Sequence, residues 1–478
     1  MYAMSHLTHT KVVRCLAKKL KSDRMAPMVT RKVLTLLSSY LIVQVRNNQI
    51  GLDAWCHSAP DDSLRFWCLQ LRDMDRMARS SKYFGKVVAN KFVNEVKYIT
   101  KNNPNILRTR LEEGRVVPSL KRTYNTPART IYECFNLTCV CGFMGGSMRT
   151  GRCVLRNGVL LNQAYRKEYR ALTDDERNRF HSAMWAVKNS GVYDYFARIH
   201  SRFAIATGAH AGPAFVPWHR EYLKRLEFAL RTVDPSVAMP YWDSTLDSRL
   251  PNPGHSVLWT DELLGGSRYG EVRDGAFRGW LLENVKPFRT RIIRRAVGVS
   301  SRPINVTSFL TFISSPNVQQ LLASPAAQED CPIPRTWQAL ELVHGSPHIF
   351  VGEDMVFLAN SANDPAFFLH HSFVDYIWET WRQGIQPRQN RESEYPRDDS
   401  RCSSAAHFAH APMLPFLPML NIDGLSNEYT GSLFFFLQTF LKFLELWINK
   451  NLLSFLDYLY RYAGRPTCSY NNRNCGSR

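Results

Sequence analysis

The chain has 478 residues, of which 45% are hydrophobic and 12% aromatic, and its formal net charge is +20. This length allows two or three domains, or one large domain with appendages, and the apolar content excludes disorder as the main state. The positive charges concentrate in the N-terminal quarter and accompany no recognisable nucleic-acid-reading motif, so we expect no nucleic-acid partner.

Residues 1–130 form a basic N-terminal region in which no chemical motif is recognisable. The apolar run 33–45 follows two basic residues, as in a signal peptide, but it starts too far from Met1. Initiation at Met25 or Met28 would correct that distance. We therefore expect a misplaced start and leave the signal peptide unresolved.

Four of the eleven cysteines cluster in a cysteine-rich segment, 131–160, and the stretch from Cys56 to Cys68 is a candidate for a small stapled loop. No paired CxxC repeats occur, which favours disulfides over zinc ligands and indicates an oxidising compartment. Glycosylation sequons begin at Asn136 and Asn305. The sequence therefore predicts a secreted protein.

Residues 161–425 change to long helical periodicity interrupted by Pro- and Gly-rich loops, which predicts a mainly α fold. This block contains a first group of three histidines. His200 lies in a predicted helix, His210 in a Gly/Ala-rich loop, and His219 follows a helix start marked by Pro217. Three side chains from helix, loop and helix can converge on one point.

A second group of histidines begins with His344 and His348, which are four residues apart and share one face if the segment is helical. Such a pair alone is more often a surface or capped-core pair than a metal site.

The charges Lys442, Glu445 and Lys450 interrupt a later apolar tract, so we expect no firm membrane span there.

The doublet His370–His371 completes the second group. Asp364 as N-cap and Pro365 as first helical residue predict that a helix begins there and carries the doublet about two turns later. Consecutive helical residues differ by roughly 100° of rotation, so only one of the two can face the centre. His371 shares the apolar stripe of the helix and His370 is rotated off it; the stripe consists of Phe367, Phe368, Val374 and Trp378.

Two groups of three histidines within aromatic segments are costly to bury without partners. Neutral imidazole suits copper and zinc, but the first group lacks cysteine and neither group carries the HExxH glutamate of common zinc sites. With no bridging carboxylate, the pattern favours a dicopper centre.

The strings "FVPWHREYLKRLE", "PYWD", "HGSPHIFVG" and "NDPAFFLHHSFVDYIW" resemble the common central domain of tyrosinases, in particular the secreted invertebrate branch. The resemblance covers roughly 161–425 and implies an antiparallel helical bundle holding a dinuclear type-3 copper site, with long loops and few strands. It implies two copper ions, with O2 as co-substrate. The implied ligands are His200, His210 and His219 for the first copper and His344, His348 and His371 for the second.

The resemblance also implies roles around the copper ligands. Many tyrosinases carry Asn directly after the first histidine of the second site, where it orients a water that deprotonates phenols; this chain has Gly345. Glu341 would be the carboxylate partner of that water, with a helix-surface charge as the alternative. His370 would orient the copper ligands. Asp375 could pair with Arg220, with an ordinary solvated charge as the alternative.

We therefore expect a copper-dependent phenol oxidase, of tyrosinase or catechol oxidase type, acting on a small phenolic or catecholic substrate. O-diphenol oxidation is the firmer expectation, and Gly345 puts monophenol hydroxylation in question. A haemocyanin-like oxygen-binding protein and an inactive secreted copper protein remain as alternatives.

Residues 426–478 form a C-terminal tail, whose apolar insert 431–456 resembles translated non-coding sequence. The physiological phenol and the oligomeric state stay open.

Overall fold

The computed structural model describes residues 54–80, 128–203, 205–266, 270–282, 290–430 and 458–466. The chain divides into two units, Met1–Ser58 and Ala59–Arg478. In the first unit the described residues contain one short helix, α1, Ala54–His57. The candidate signal sequence 33–45 and the apolar insert 431–456 lie outside the described residues.

The described part of the second unit is mainly helical, which confirms the fold class. Its helices are α2 Asp62–Ser80, α3 Leu137–Phe143, α4 Asp174–Asn189, α5 Val192–Ser201, α6 Phe215–Val233, α7 Ser244–Asp247, α8 Val306–Ile313, α9 Leu340–Val343, α10 Gly345–Val351, α11 Leu358–Ser361 and α12 Ala366–Gly384. None of the described helices is both long and apolar enough to cross a membrane.

The strands are short and form small separate sheets. They are β1 Ser147–Arg149, β2 Arg152–Val154, β3 Leu160–Leu161, β4 Ala164–Arg166, β5 Gly270–Glu271, β6 Leu281–Leu282, β7 Arg291–Ile292, β8 Arg294–Arg295 and β9 Tyr460–Tyr462. β1, β2 and β3 pair antiparallel in that order, as do β5 with β8 and β6 with β7. β9 pairs parallel with β4 and so returns the end of the described chain to the domain.

The two longest core helices, α6 and α12, pack against each other, with α4 beside α6 and α8 beside α12. Trp218, Tyr222 and Leu226 follow one another at four-residue spacing along α6 and are all fully buried. This spacing places them on one stripe of the helix, and their burial holds α6 in the core. Pro217 lies in its first turn, where the missing N–H costs no helical hydrogen bond.

Helix α12 begins at Ala366, one residue after the predicted start. The Asp364 carboxylate accepts a hydrogen bond from the Ala366 N–H at 2.8 Å. The same carboxylate accepts two hydrogen bonds from the Arg295 guanidinium, each 2.7 Å long, and both side chains are fully buried. Asp364 therefore caps the helix and also balances the buried positive charge of Arg295 on β8.

The predicted pairing of Asp375 with Arg220 is confirmed. The Arg220 Nε donates to Asp375 Oδ1 at 2.6 Å and its Nη2 donates to Glu379 Oε2 at 2.6 Å. Asp375 is 1% exposed, so the alternative of a solvated surface charge is wrong. From the other side, Arg166 on β4 donates to Asp375 Oδ2 at 3.3 Å. These ion pairs join α6 to α12.

The prediction that cysteines form disulfides is confirmed within the described ranges. Cys134 is bonded to Cys139 and Cys141 to Cys153, which staples the cysteine-rich segment. A third bond joins two cysteines 71 residues apart, Cys331 and Cys402. Thiols engaged in this way cannot serve as zinc ligands.

Candidate metal centre

The first cluster of histidines is assembled from helix, loop and helix. His200 lies near the end of α5, His210 in the loop that follows, and His219 in the second turn of α6. One nitrogen from each ring lies within 4.8 Å of the others. All three side chains are buried. We call His200, His210 and His219 triad A.

The second cluster is formed by His344 at the junction of α9 and α10, His348 in α10, and His371 in α12. Its ligand nitrogens also lie within 4.8 Å of one another. The Nε2 atoms of His348 and His371 are 3.3 Å apart, which shows that both rings point to one place. We call His344, His348 and His371 triad B.

Backbone carbonyls fix the orientation of three of these rings. In His219, Nδ1 lies 2.9 Å from the backbone oxygen of Phe215. In His344, it lies 2.5 Å from that of Glu341, and in His348, 3.0 Å from that of Met355. An Nδ1–H that donates to a carbonyl leaves the Nε2 lone pair directed into the cluster.

The Nε2 atoms of four ligand histidines are buried without a hydrogen-bond partner in the part of the chain that the structure describes; they belong to His200, His210, His219 and His344. A buried polar atom left unpaired costs free energy, so several in one place call for an explanation. A bound metal ion at each triad would satisfy these lone pairs.

Burial lowers the pKa of all six ligand histidines, and for His200 it lowers the pKa to about 3. The rings are therefore neutral at physiological pH, which is the form that binds metal. Neither triad includes a carboxylate or a cysteine. Sets of imidazoles alone suit copper, so the residues present fit two copper ions.

The two triads lie side by side. The rings of His219 from triad A and His371 from triad B are nearly parallel, with centroids 4.2 Å apart. Phe367 on α12 contacts both triads, with ring centroids 4.7 Å from His200 and 4.1 Å from His371. Such contacts place two three-histidine sites in one buried, apolar region, as a dinuclear centre requires.

His370 lies beside triad B and outside its converging nitrogens. Its Nε2 atom is 3.0 Å from the backbone oxygen of His344, and the two rings are parallel with centroids 5.7 Å apart. Burial lowers the pKa of His370 to about 4. A neutral His370 therefore donates from Nε2 to the His344 carbonyl and holds that ligand's backbone in place.

Glu341 is buried between the two triads. Its carboxylate accepts hydrogen bonds from the N–H groups of Ala211 at 2.6 Å and Gly212 at 3.1 Å. Ala211 has a positive φ of 76°, which turns two successive N–H groups toward one anion site. Glu341 is 1% exposed, so the helix-surface alternative is wrong, and burial raises its pKa well above the usual value. Glu341 therefore ties α9 to the loop that carries His210.

Sequence reasoning missed Trp67, on α2, because it assigned no chemistry to residues 1–130. The Trp67 ring is stacked on His348, with centroids 4.9 Å apart, and meets His344 edge-on at 5.3 Å. A Cβ atom at Gly345 would lie 2.3 Å from Trp67 Cγ. The one signal in the sequence was an apolar pair, Phe66–Trp67, which does not distinguish a core residue from a site residue.

Comparison with known proteins shows similarity to tyrosinases. Residues 190–384 match the model of the common central domain of tyrosinase. A tyrosinase of Streptomyces glaucescens is 36% identical over 236 residues, which are 46% of this chain and 82% of that protein. The tyrosinase-like protein tyr-3 of Caenorhabditis elegans is 37% identical over 93% of this chain, but the chain spans only 56% of its length. The solved tyrosinase of Burkholderia thailandensis is 17% identical, covers 66% of this chain and 76% of its own, and superposes with a TM-score of 0.43.

Proposed function

Because the chain belongs to the tyrosinase family, we propose that it is a copper-dependent phenol oxidase that oxidises o-diphenols to quinones with O2 as co-substrate. Two buried three-histidine clusters that lie side by side, with no carboxylate in either, carry this function. When bound, a pair of copper ions at triads A and B supplies the redox chemistry by which O2 oxidises a catechol.

The protein's own residues prepare the site for that chemistry. Backbone carbonyls of Phe215, Glu341 and Met355 hold three ligand rings with Nε2 facing inward, so the metal geometry is set before substrate arrives. The fully buried Phe367 ring contacts a ligand of each triad and gives the site an apolar wall. One face of the buried His348 ring accepts an aromatic partner, because the Trp67 indole stacks there. A small phenol or catechol would use the same face.

We propose diphenol oxidation as the main activity and monophenol hydroxylation as the weaker one. Gly345 has no side chain that could orient a water beside triad B. Each oxygen of Glu341 already accepts a backbone N–H, from Ala211 or Gly212. A water that removes the proton of an incoming phenol would therefore depend on the remaining lone pairs of Glu341.

A haemocyanin-like oxygen carrier is the second candidate, and one observation favours it. Trp67 covers the His348 face of triad B, so a phenol that stacks there must first displace the indole, whereas O2 needs no stacking face. Steady O2 consumption with catechol separates the two functions, since an oxygen carrier would bind O2 reversibly without turnover.

The test uses the full chain loaded with copper. We expect consumption of one O2 for every two catechols, since each catechol gives up two electrons and O2 accepts four. A monophenol should be oxidised more slowly than the matching diphenol. Two bound coppers without catechol oxidation would overturn the enzymatic function.

We also propose that the protein is secreted. Its disulfides, such as Cys331–Cys402, are typical of oxidising compartments. Asn305, the first residue of one sequon, is exposed at the start of α8. Recovery of the protein in the medium of secretory cells, with a mobility shift after N-glycan removal, would support this; a cytosolic, unglycosylated protein would contradict it.

A further inference from the structure

The peptide unit between His210 and Ala211, in the loop of triad A, is hydrogen-bonded to a side chain at each end. Its N–H group, which belongs to Ala211, donates to Glu341 Oε1 at 2.6 Å. Its carbonyl oxygen, which belongs to His210, accepts a hydrogen bond from the buried ring of His407. The C=O and N–H groups of a trans peptide point in opposite directions, so Glu341 and His407 hold this peptide from opposite sides.

The His407 ring packs directly against the loop that carries His210. Its Nδ1 atom has no hydrogen-bond partner among the described residues, so Nε2 is the atom that donates to the His210 oxygen. A Cβ atom at Gly212 would lie 2.6 Å from His407 Cγ and 2.8 Å from its Cδ2. Gly212 therefore provides the room in which the His407 ring lies.

The backbone around His407 is fixed by other side chains. The Tyr395 hydroxyl donates to the His407 backbone oxygen at 2.7 Å. The Asn421 Nδ2 donates to the backbone oxygens of Ala406 at 2.8 Å and Phe408 at 2.9 Å. This segment follows the tyrosinase match, which ends at residue 384. A firmly held segment outside the match thus presents the His407 ring to the loop of triad A.

The conformation of Ala211 explains why this peptide needs holding. Its φ of 76° lies in the left-handed region, which residues other than glycine rarely adopt because Cβ comes too close to the following carbonyl oxygen. Flipping the peptide between His210 and Ala211 would return Ala211 to a negative φ and relieve this strain. The flip would also break both hydrogen bonds and turn the His210 oxygen toward the Glu341 carboxylate. The two side chains therefore stabilise an orientation that the backbone alone disfavours.

We propose that His407 is a positioning residue of triad A, which together with Glu341 holds the peptide after His210 and so keeps the His210 ring directed at the other two histidines. His210 lies in a loop, whereas the other ligands of triad A lie in helices, so its orientation depends on such side-chain contacts. The inference rests on the proposed copper site, since it assigns His407 to the retention of copper at triad A.

The test measures the affinity of the full chain for copper(II) by competition with a chelator. His407→Leu removes the donor to the His210 oxygen, so one of the two coppers should bind about 10- to 100-fold more weakly, the usual cost of losing a group that orients a metal ligand. His407→Gln keeps an N–H donor at a similar reach and should retain the affinity for both coppers. The control is His410→Leu, on the same segment, because His410 is exposed and should change neither affinity.

Ala211→Gly separates this role from a general effect on stability. Glycine adopts a positive φ without strain, so the peptide no longer gains by flipping. In the Ala211→Gly background, His407→Leu should therefore cost less copper affinity than it does in the wild type. Gly212→Ala displaces the His407 ring and should also weaken one copper, and it decides the question if His407→Leu does not fold.

Wild-type copper affinity in both His407→Leu and Gly212→Ala would overturn the role of His407 while leaving the oxidase function intact. An equal loss from His407→Leu in the wild-type and Ala211→Gly backgrounds would overturn it as well, because a purely structural contribution is independent of the strain at Ala211. Weaker copper binding in the variants of a protein that binds two coppers but does not oxidise catechol would overturn the oxidase function and retain the role of His407.

Discussion

Arg220 on α6 and Asp375 on α12 form a fully buried ion pair, Nε to Oδ1 at 2.6 Å, that joins a helix of triad A to a helix of triad B. Arg220 directly follows the ligand His219, and Asp375 lies one helical turn after the ligand His371. The ion pair therefore fixes the two triads relative to each other.

Asp375→Ala should destabilise the protein strongly. The substitution leaves Arg220 without its main partner and removes the acceptor of the Tyr460 and Tyr462 hydroxyls, which donate to Asp375 Oδ2 at 2.7 and 2.6 Å. Breaking a buried pair by removing one partner typically costs about 3–5 kcal/mol. Urea unfolding of wild type and variant measures the change in the free energy of unfolding. The control is Asp73→Ala, because the ion pair of Asp73 with Arg76 is exposed. It should cost less than about 1 kcal/mol. Equal losses from both variants would contradict this account.

The histidine doublet should be functionally asymmetric. His371→Ala removes one of the three nitrogens of triad B, so we expect loss of the second copper and of catechol oxidation. His370→Ala removes a support of the His344 backbone, and loss of such a support typically costs about 10- to 100-fold in metal affinity or activity. Metal content and catechol oxidation of both variants decide the assignment. Retention of the second copper by His371→Ala and its loss from His370→Ala would show that the assignment is reversed.

Gly345→Asn should raise monophenol activity relative to diphenol activity once Trp67 is removed. In wild type the new side chain would collide with the Trp67 ring, so the single variant changes the packing as well as water orientation. The informative comparison is Trp67→Ala against the double variant Trp67→Ala/Gly345→Asn, measured as the ratio of monophenol to diphenol rates. A ratio that stays constant would mean that Gly345 does not limit hydroxylation.

Deletion of residues 431–456 should leave the folded domain intact. Thr430 and Tyr460, on either side of the tract, pair as a parallel β-bridge. Since parallel neighbours need a crossover connection of about a dozen residues, a Gly/Ser linker of that length takes the place of the deleted tract. Closing a shorter connection costs little free energy. The melting temperature of the deletion variant should stay within a few degrees of wild type, about what 1 kcal/mol produces in a domain of this size. Loss of the cooperative transition would identify the tract as a packed element.

The periodic part of the fold and the ligand-bearing segments were predictable from the sequence because both depend on local spacing. The helix start near Pro365 and the stripe of Phe367 and Phe368 favoured His371 over His370 as the ligand, and His371 is the one that joins triad B. The expectation that only His371 is on the buried side was wrong, because both rings are buried. The Arg220–Asp375 pair followed from the positions of those same helices.

Contacts between distant segments were not predictable. The role of Glu341 as acceptor for two N–H groups depends on the positive φ of Ala211, about 130 residues away in sequence. Likewise, Trp67 reaches triad B only through the docking of α2 on α9 and α10. The spacing of residues within α2 does not specify which helices it packs against. The contact of Trp67 with triad B is therefore visible only in the structure.

Copper stoichiometry of the purified full chain tests the dinuclear centre most directly. Six neutral imidazoles in two converging triads should bind two coppers per chain, and His219→Ala or His371→Ala should each reduce that number by one. One copper per chain in the wild type, or displacement of copper by zinc after full loading, would contradict the account.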